Sequence, residues 1–383
     1  MRNLILVFSI LSIILGCNKN SEFSANNDFR DSLIGDWEEI IRIDSNHIYI
    51  EPIFSPTGYS FSKDNIEFFN GLFDIKNDTS KRYRTVKYLG NFKKYKIEGN
   101  QLFTKNLKTK KWQEFWKIKH IKNDTLFIIN EGKSIGKLKR LKYKIEEKND
   151  FDKIVYSSLG CYGTCPIIDI SLDRSGNINF QGNRFVDEIG FYKGKLDKKT
   201  TAFIFRKFEK ADITNLEDNY SDAVTDSQTI TTTFIKNGKI VKSIQDYAFS
   251  STKELIWAYV PIGNIFKTMT LTKITPESNF TDIALLSFSK GEKTLNINGS
   301  EGFFLWTELQ KGQLTRINFA PTYKISYTQN KNTNLKEISS DGRFYKLEFK
   351  NNHTITYDLG YNFIERNFKE KDFEKEKSLE DFF

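Results

Sequence analysis

A period of two constrains this chain more than any other feature. Apolar and polar residues alternate over short runs that Gly, Asn and Asp interrupt every few positions. Side chains that point alternately to two faces mark half-buried strands. Tyr95, Ile97, Gly99-Asn100, Leu102 and Phe103 read as strand, turn and strand, and Trp116 to Ile128 repeats the design around Asn123-Asp124. Hairpins follow one another without the crossover helices that parallel pairing needs. The expectation is a β-rich, multi-domain antiparallel protein.

A chain of 383 residues suits two or three domains of ordinary size. Its 34 Phe, 17 Tyr and 5 Trp can fill several cores. The net charge is +9. Lysines at 81–96, 105–119 and 133–144 alternate with apolar residues, as on a solvated strand face. Attraction to anionic lipid or lipopolysaccharide is the alternative reading. The export signal described next argues against a nucleic-acid partner.

Met1-Arg2-Asn3 precedes a run from Leu4 to Leu15 that is apolar except for Ser9 and Ser12, followed by Gly16 and Cys17. A membrane-spanning helix needs roughly 20 apolar residues, so residues 1–16 are read as a cleaved signal peptide. Ile14-Leu15-Gly16-Cys17 resembles the bacterial lipobox. That resemblance implies acyl chains, palmitate among them, on Cys17 and a membrane partner held through them. Two or more chains suffice for stable anchoring. Residues 17–32 then form a polar tether. Position 18 is Asn, not the Asp of inner-membrane retention, so the expected location is the cell envelope, at the outer membrane.

Within residues 33–148, Leu33-Ile34-Gly35-Asp36-Trp37 and the hairpins after it resemble the lipocalin-like domains of bacterial lipoproteins. The resemblance implies an antiparallel barrel or meander with Trp37 at the barrel base. Such a barrel can hold one small apolar ligand in its mouth or be filled by its own side chains.

Cys161 and Cys165 are the two cysteines beyond Cys17. In an oxidising compartment they are expected to pair, with Gly163 allowing the turn and Pro166 fixing the exit. Cys161-Tyr162-Gly163-Thr164-Cys165-Pro166 and the hairpin after it resemble an uncharacterised bacterial domain, domain of unknown function 6438, over residues 151–266, within a domain expected to span 151–268. That family implies an α+β fold and no activity. Its further marks here are a helix near 198–210, the Thr225-Asp226 step, and a closing helix begun by Ser251–Glu254 as a capping box and ended or kinked by Pro261. Tyr162, Gly163, Thr164 and Pro166 are candidate binding-loop residues. A redox role competes, although thiol chemistry favours two intervening residues over three. A metal site would need further ligands, and His47, His120 and His353 are remote in sequence.

Residues 275–364 revert to strand patterns and are expected to form an all-β domain, with a charged tail over 365–383 that is either docked or frayed. Sequence signatures of hydrolases, metalloproteases, phosphate loops and dinucleotide folds are missing, and no cofactor or metal is implied. The expectation is a noncatalytic envelope lipoprotein acting in binding or assembly, with an envelope protein or small apolar ligand as partner. The alternatives are an enzyme, as a carboxylate hydrolase or thiol–disulfide protein, or a carrier.

Overall fold

The computed structural model describes residues 25–40, 57–76, 85–129, 135–145, 150–274, 283–329 and 335–375. The signal segment, Cys17, most of the tether and the last eight residues lie outside them. Among the described residues no helix is long and apolar enough to cross a membrane.

A short helix, α1 (Ala25–Leu33), leads into β1 (Gly35–Glu39), β2 (Gly58–Phe61) and β3 (Asn65–Phe68). A separate ribbon, β4 (Phe73–Lys76) with β5 (Thr85–Tyr88), precedes β6 (Phe92–Glu98), β7 (Gln101–Lys105), β8 (Trp112–Lys122), β9 (Thr125–Ile129) and β10 (Ile135–Leu141). Eight of these strands close a barrel in the order β1-β10-β9-β8-β7-β6-β3-β2. β1 is the closing strand, with Trp37 opposite Arg140 on one side and Tyr59 on the other. Asn123 and Asp124 both have positive φ (50° and 55°), as a two-residue hairpin turn requires. The interior is packed with Trp37, Tyr59, Phe61, Tyr95, Trp116 and aliphatic neighbours. Tyr59 meets Trp116 edge-on at 4.8 Å, and Phe61 meets Tyr95 at 5.4 Å.

The central unit runs β11 (Lys153–Ser158), β12 (Ile167–Asp173), β13 (Asn177–Arg184), β14 (Gly190–Lys195), α2 (Lys198–Lys210), β15 (Asn219–Tyr220), β16 (Thr229–Lys236), β17 (Lys239–Tyr247), α3 (Lys253–Ile262) and β18 (Thr272–Ile274). Its sheet has the order β15-β17-β16-β11-β12-β13-β14-β18. β18 carries this sheet past residue 268, the boundary expected from sequence, because Phe191 of β14 pairs with Ile274. One face packs Ile154, Ile170, Phe180 and Phe234 against Phe205 and Phe208 of α2 and Leu255 and Tyr259 of α3. The start of α3 differs from expectation. Thr252, not Ser251, is the N-cap residue and its side chain makes no cap bond, while the Ser251 hydroxyl is committed to Asp246. Pro261 falls in the last turn, where the helix ends at Ile262.

The third unit contains β19 (Ile283–Lys290), β20 (Lys293–Ile297), α4 (Gly299–Leu309), β21 (Gln313–Thr315), β22 (Tyr323–Gln329), β23 (Leu335–Ser340), β24 (Phe344–Phe349), β25 (Thr354–Asp358), α5 (Phe363–Asn367) and β26 (Glu374–Lys375). Expected to be all strand, it also holds α4. Asn298 opens that helix with a full capping box, its side chain accepting from the Glu301 N–H while Glu301 accepts from the Asn298 N–H. α4 lies on the second face of the central sheet, where Val155, Phe191 and Ile235 join Phe303, Phe304 and Trp306 in one core. Of the tail, residues to 375 dock: Glu374 pairs with Thr294, and Phe373 stacks on Tyr323 at 5.9 Å.

The barrel docks on the outer side of α2 and α3. Glu67 accepts from Lys207 at 2.7 Å, Glu38 from Lys253 at 2.6 Å, and Asp36 from Lys210. Phe69 packs on Trp257 at 4.6 Å between ring centres. The order through the molecule is barrel, two helices, central sheet, α4 and third sheet.

Candidate functional site

The loop between β11 and β12 carries the bridge: Cys161 and Cys165 are disulfide-bonded, with Cα atoms 5.7 Å apart. Between them Tyr162 is 87% exposed, and Gly163 and Thr164 are exposed as well. Cys161, Cys165 and Pro166 are half-buried beneath. Gly163 does not adopt a left-handed conformation, and a Cβ there would meet the Cys161 sulfur at 3.8 Å, an ordinary contact. The turn therefore does not depend on glycine.

Rigidity comes from below. Gln228 donates its amide to the carbonyls of Leu159 (3.0 Å) and Pro166 (2.9 Å), and the Ser158 hydroxyl donates to the Pro166 carbonyl at 2.9 Å. The Tyr162 N–H donates to the Asp226 carbonyl at 3.2 Å. Asp226, in the Thr225-Asp226 step, is held at φ 66°. For a non-glycine residue that conformation is costly and is sustained by surrounding contacts. A third loop joins these two: the Ser227 N–H donates to the Tyr247 hydroxyl at 3.2 Å. Ala248 and Phe249 follow, also left-handed at 65° and 55°. Asp246 holds this third loop by accepting from the Ser250 N–H at 2.7 Å and from the Ser251 hydroxyl.

Two inward acids flank this end of the sheet, and sequence reasoning singled out neither. Asp169 of β12 accepts from the Ser157 hydroxyl and, at 2.8 Å, from the Asn183 amide. Burial pushes its carboxyl up to about 6 against those two donors. Burial likewise raises Asp246 above the usual carboxylate range. Strand alternation places them on opposite faces, Asp169 with the α4 side and Asp246 with the α2–α3 side, so they do not converge on one substrate. Glu38 binds Lys253, and Asp222 accepts from the Ala223 N–H.

The remaining candidates are placed as follows. Trp37 is fully buried in the barrel; its indole N–H donates to the Leu33 carbonyl at 2.7 Å, and Arg140 lies over its ring at 4.1 Å. His120 stacks on Phe127 and His353 on Phe349, both away from the bridge, while His47 lies outside the described residues. Among the described residues no group of three or more His, Cys, Asp or Glu is arranged to hold a metal ion.

Comparison with curated proteins gives no match. The family profile of a domain of unknown function, DUF6438, matches residues 152–266, so the stretch that contains the bridged loop, most of its sheet and both of its helices is that domain.

Proposed function

We propose that this chain is a noncatalytic, lipid-anchored envelope protein whose central domain contacts a partner through the bridged loop. The observation that carries this reading is Tyr162, a large side chain 87% exposed on a loop that a disulfide and hydrogen bonds from the neighbouring Asp226–Gln228 segment hold in place. An exposed aromatic on a fixed loop loses little conformational freedom on binding, which is what recognition sites exploit. The anchor reading rests on the lipobox-like Ile14–Cys17 segment.

A photocrosslinking amino acid at position 162, in cells carrying the full chain, tests the contact. A discrete adduct is expected there and not at an exposed control position such as Lys336. Equal labelling at both sites overturns the reading. Incorporation of labelled palmitate that disappears in Cys17→Ala tests the anchor separately.

A further inference from the structure

Positive charge is concentrated on one part of this chain. Residues 92–145, which supply β6 to β10, contain sixteen Lys and Arg against four Asp and Glu. That surplus of twelve exceeds the +9 of the whole sequence, so the remainder is net acidic.

The barrel register gathers much of this charge on one outer wall. Trp116 and Ile118 of β8 are buried, so Lys117 and Lys119 point outward. Lys117 stands opposite Gln101 of β7 and Ile129 of β9, Lys96 of β6 opposite Phe103, and Lys137 of β10 opposite Phe127. Five adjacent strands thus share one basic surface. Among the described residues Lys117, Lys119, Lys122, Lys137 and Lys139 pair with no carboxylate. Trp112, 40% exposed, sits in the same wall with the Lys96 ammonium 5.1 Å from its ring centre.

The opposite side of the barrel is already engaged. β2 lies across the ring from β8, and on the two strands flanking it Asp36, Glu38 and Glu67 meet Lys210, Lys253 and Lys207 of the central unit. Phe92, at the start of β6, touches Phe203 of α2 at 4.9 Å between ring centres, and beyond that edge the basic wall centred on β8 faces away from the central unit.

We propose that the β6–β10 wall is a docking surface for the phosphate headgroups of an anionic bilayer. Flexible, compact ammonium groups spread over a broad wall suit a plane of mobile phosphates, and an exposed indole among them is amphipathic in the way an interfacial anchor is. This surface is distinct from the bridged loop, and its test needs no acyl chain.

The test uses the mature chain with Cys17→Ser, sedimented with vesicles of phosphatidylglycerol and phosphatidylcholine or of phosphatidylcholine alone. Binding is expected to the anionic vesicles at low salt and to be lost in about 1 M salt, where the screening length is about 3 Å. Each lysine near an anionic leaflet multiplies partitioning about fivefold, so Lys117→Glu with Lys119→Glu and Lys122→Glu should lower it by at least about a hundredfold. The matched set Lys324→Glu, Lys336→Glu and Lys371→Glu makes the same change in net charge on the third unit and should leave most binding intact. Should glutamate unfold the barrel, as circular dichroism would show, glutamine at 117, 119 and 122 replaces it. Equal losses from both sets, equal binding to neutral vesicles, or binding to duplex DNA but not to vesicles overturns the proposal.

Discussion

Lys207 of α2 and Glu67 of β3 form an ion pair at 2.7 Å with side chains only 4% and 7% exposed, joining segments 140 residues apart. The Lys207 ammonium also lies 3.7 Å from the centre of the Phe69 ring. Burial lowers the Lys207 pKa in spite of the Glu67 carboxylate. Removing one member leaves a charge stranded between the barrel and the central unit. Lys207→Met should therefore cost about 3–5 kcal/mol, whereas Lys207→Met with Glu67→Met should recover most of that loss. Urea unfolding followed by tryptophan fluorescence reads both, and a single variant as stable as the parent contradicts the assignment.

Asp169 sets a pH dependence whose sign follows from its raised pKa. The folded carboxyl titrates at about 6 and the unfolded one near the ordinary 3.8, so between these values the folded state binds the extra proton. Stability from this group is present at low pH and is lost as pH rises through about 6, by up to about 3 kcal/mol. Asp169→Asn should flatten that part of the curve. Urea midpoints between pH 4 and pH 7, for parent and variant, decide it; parallel curves argue against a raised Asp169.

The disulfide closes a very short loop. In the chain-entropy account its loss should cost roughly 2 kcal/mol and leave the fold intact. Cys161→Ser with Cys165→Ser should thus lower the melting temperature modestly, while Tyr162→Ala, at an exposed side chain, should leave it nearly unchanged. If Tyr162→Ala destabilises as much as loss of the bridge, the side chain is structural and not a contact residue.

Gly299 begins α4 where that helix presses on the central sheet. A Cβ there would lie 2.6 Å from the Ser157 hydroxyl, which is bound to Asp169. Gly299→Ala should cost about 1–3 kcal/mol through overpacking. Asn298→Ala, which removes the cap together with the amide's 2.8 Å bond to the Ser243 hydroxyl, should cost about 1–2 kcal/mol. Hydrogen exchange should show the larger change on β11 and β16 in the glycine variant; protection unchanged on both strands would contradict the contact.

Local order was readable wherever one residue's chemistry decided the backbone. The hairpin turn at Asn123-Asp124 lies where alternation puts it, and helix α2, which Asp197 caps through the Thr200 N–H, lies where the family resemblance implies it. α4 escaped because it is buried nearly all round, so it presents no polar face from which a 3.6-residue period could be read. Its Asn298–Glu301 capping box was the available signal. At α3 the converse happened: Ser251-x-x-Glu254 carries a capping pattern, yet the serine hydroxyl serves Asp246, a partner fixed by the tertiary fold. The bridged loop was legible from two cysteines. Asp169 was not, since an acid alternating with Ile168 and Ile170 reads as solvent-facing until the helix covering that face is known.

The apolar face that Val155, Phe191 and Ile235 give the central sheet is closed by residues encoded after the sheet's own last strand. During synthesis that sheet emerges with α2 and α3 already available for one side and nothing for the other. It carries an open sticky surface until α4 leaves the ribosome. A chain truncated after β18 would contain the whole of the matched domain and still be prone to aggregate.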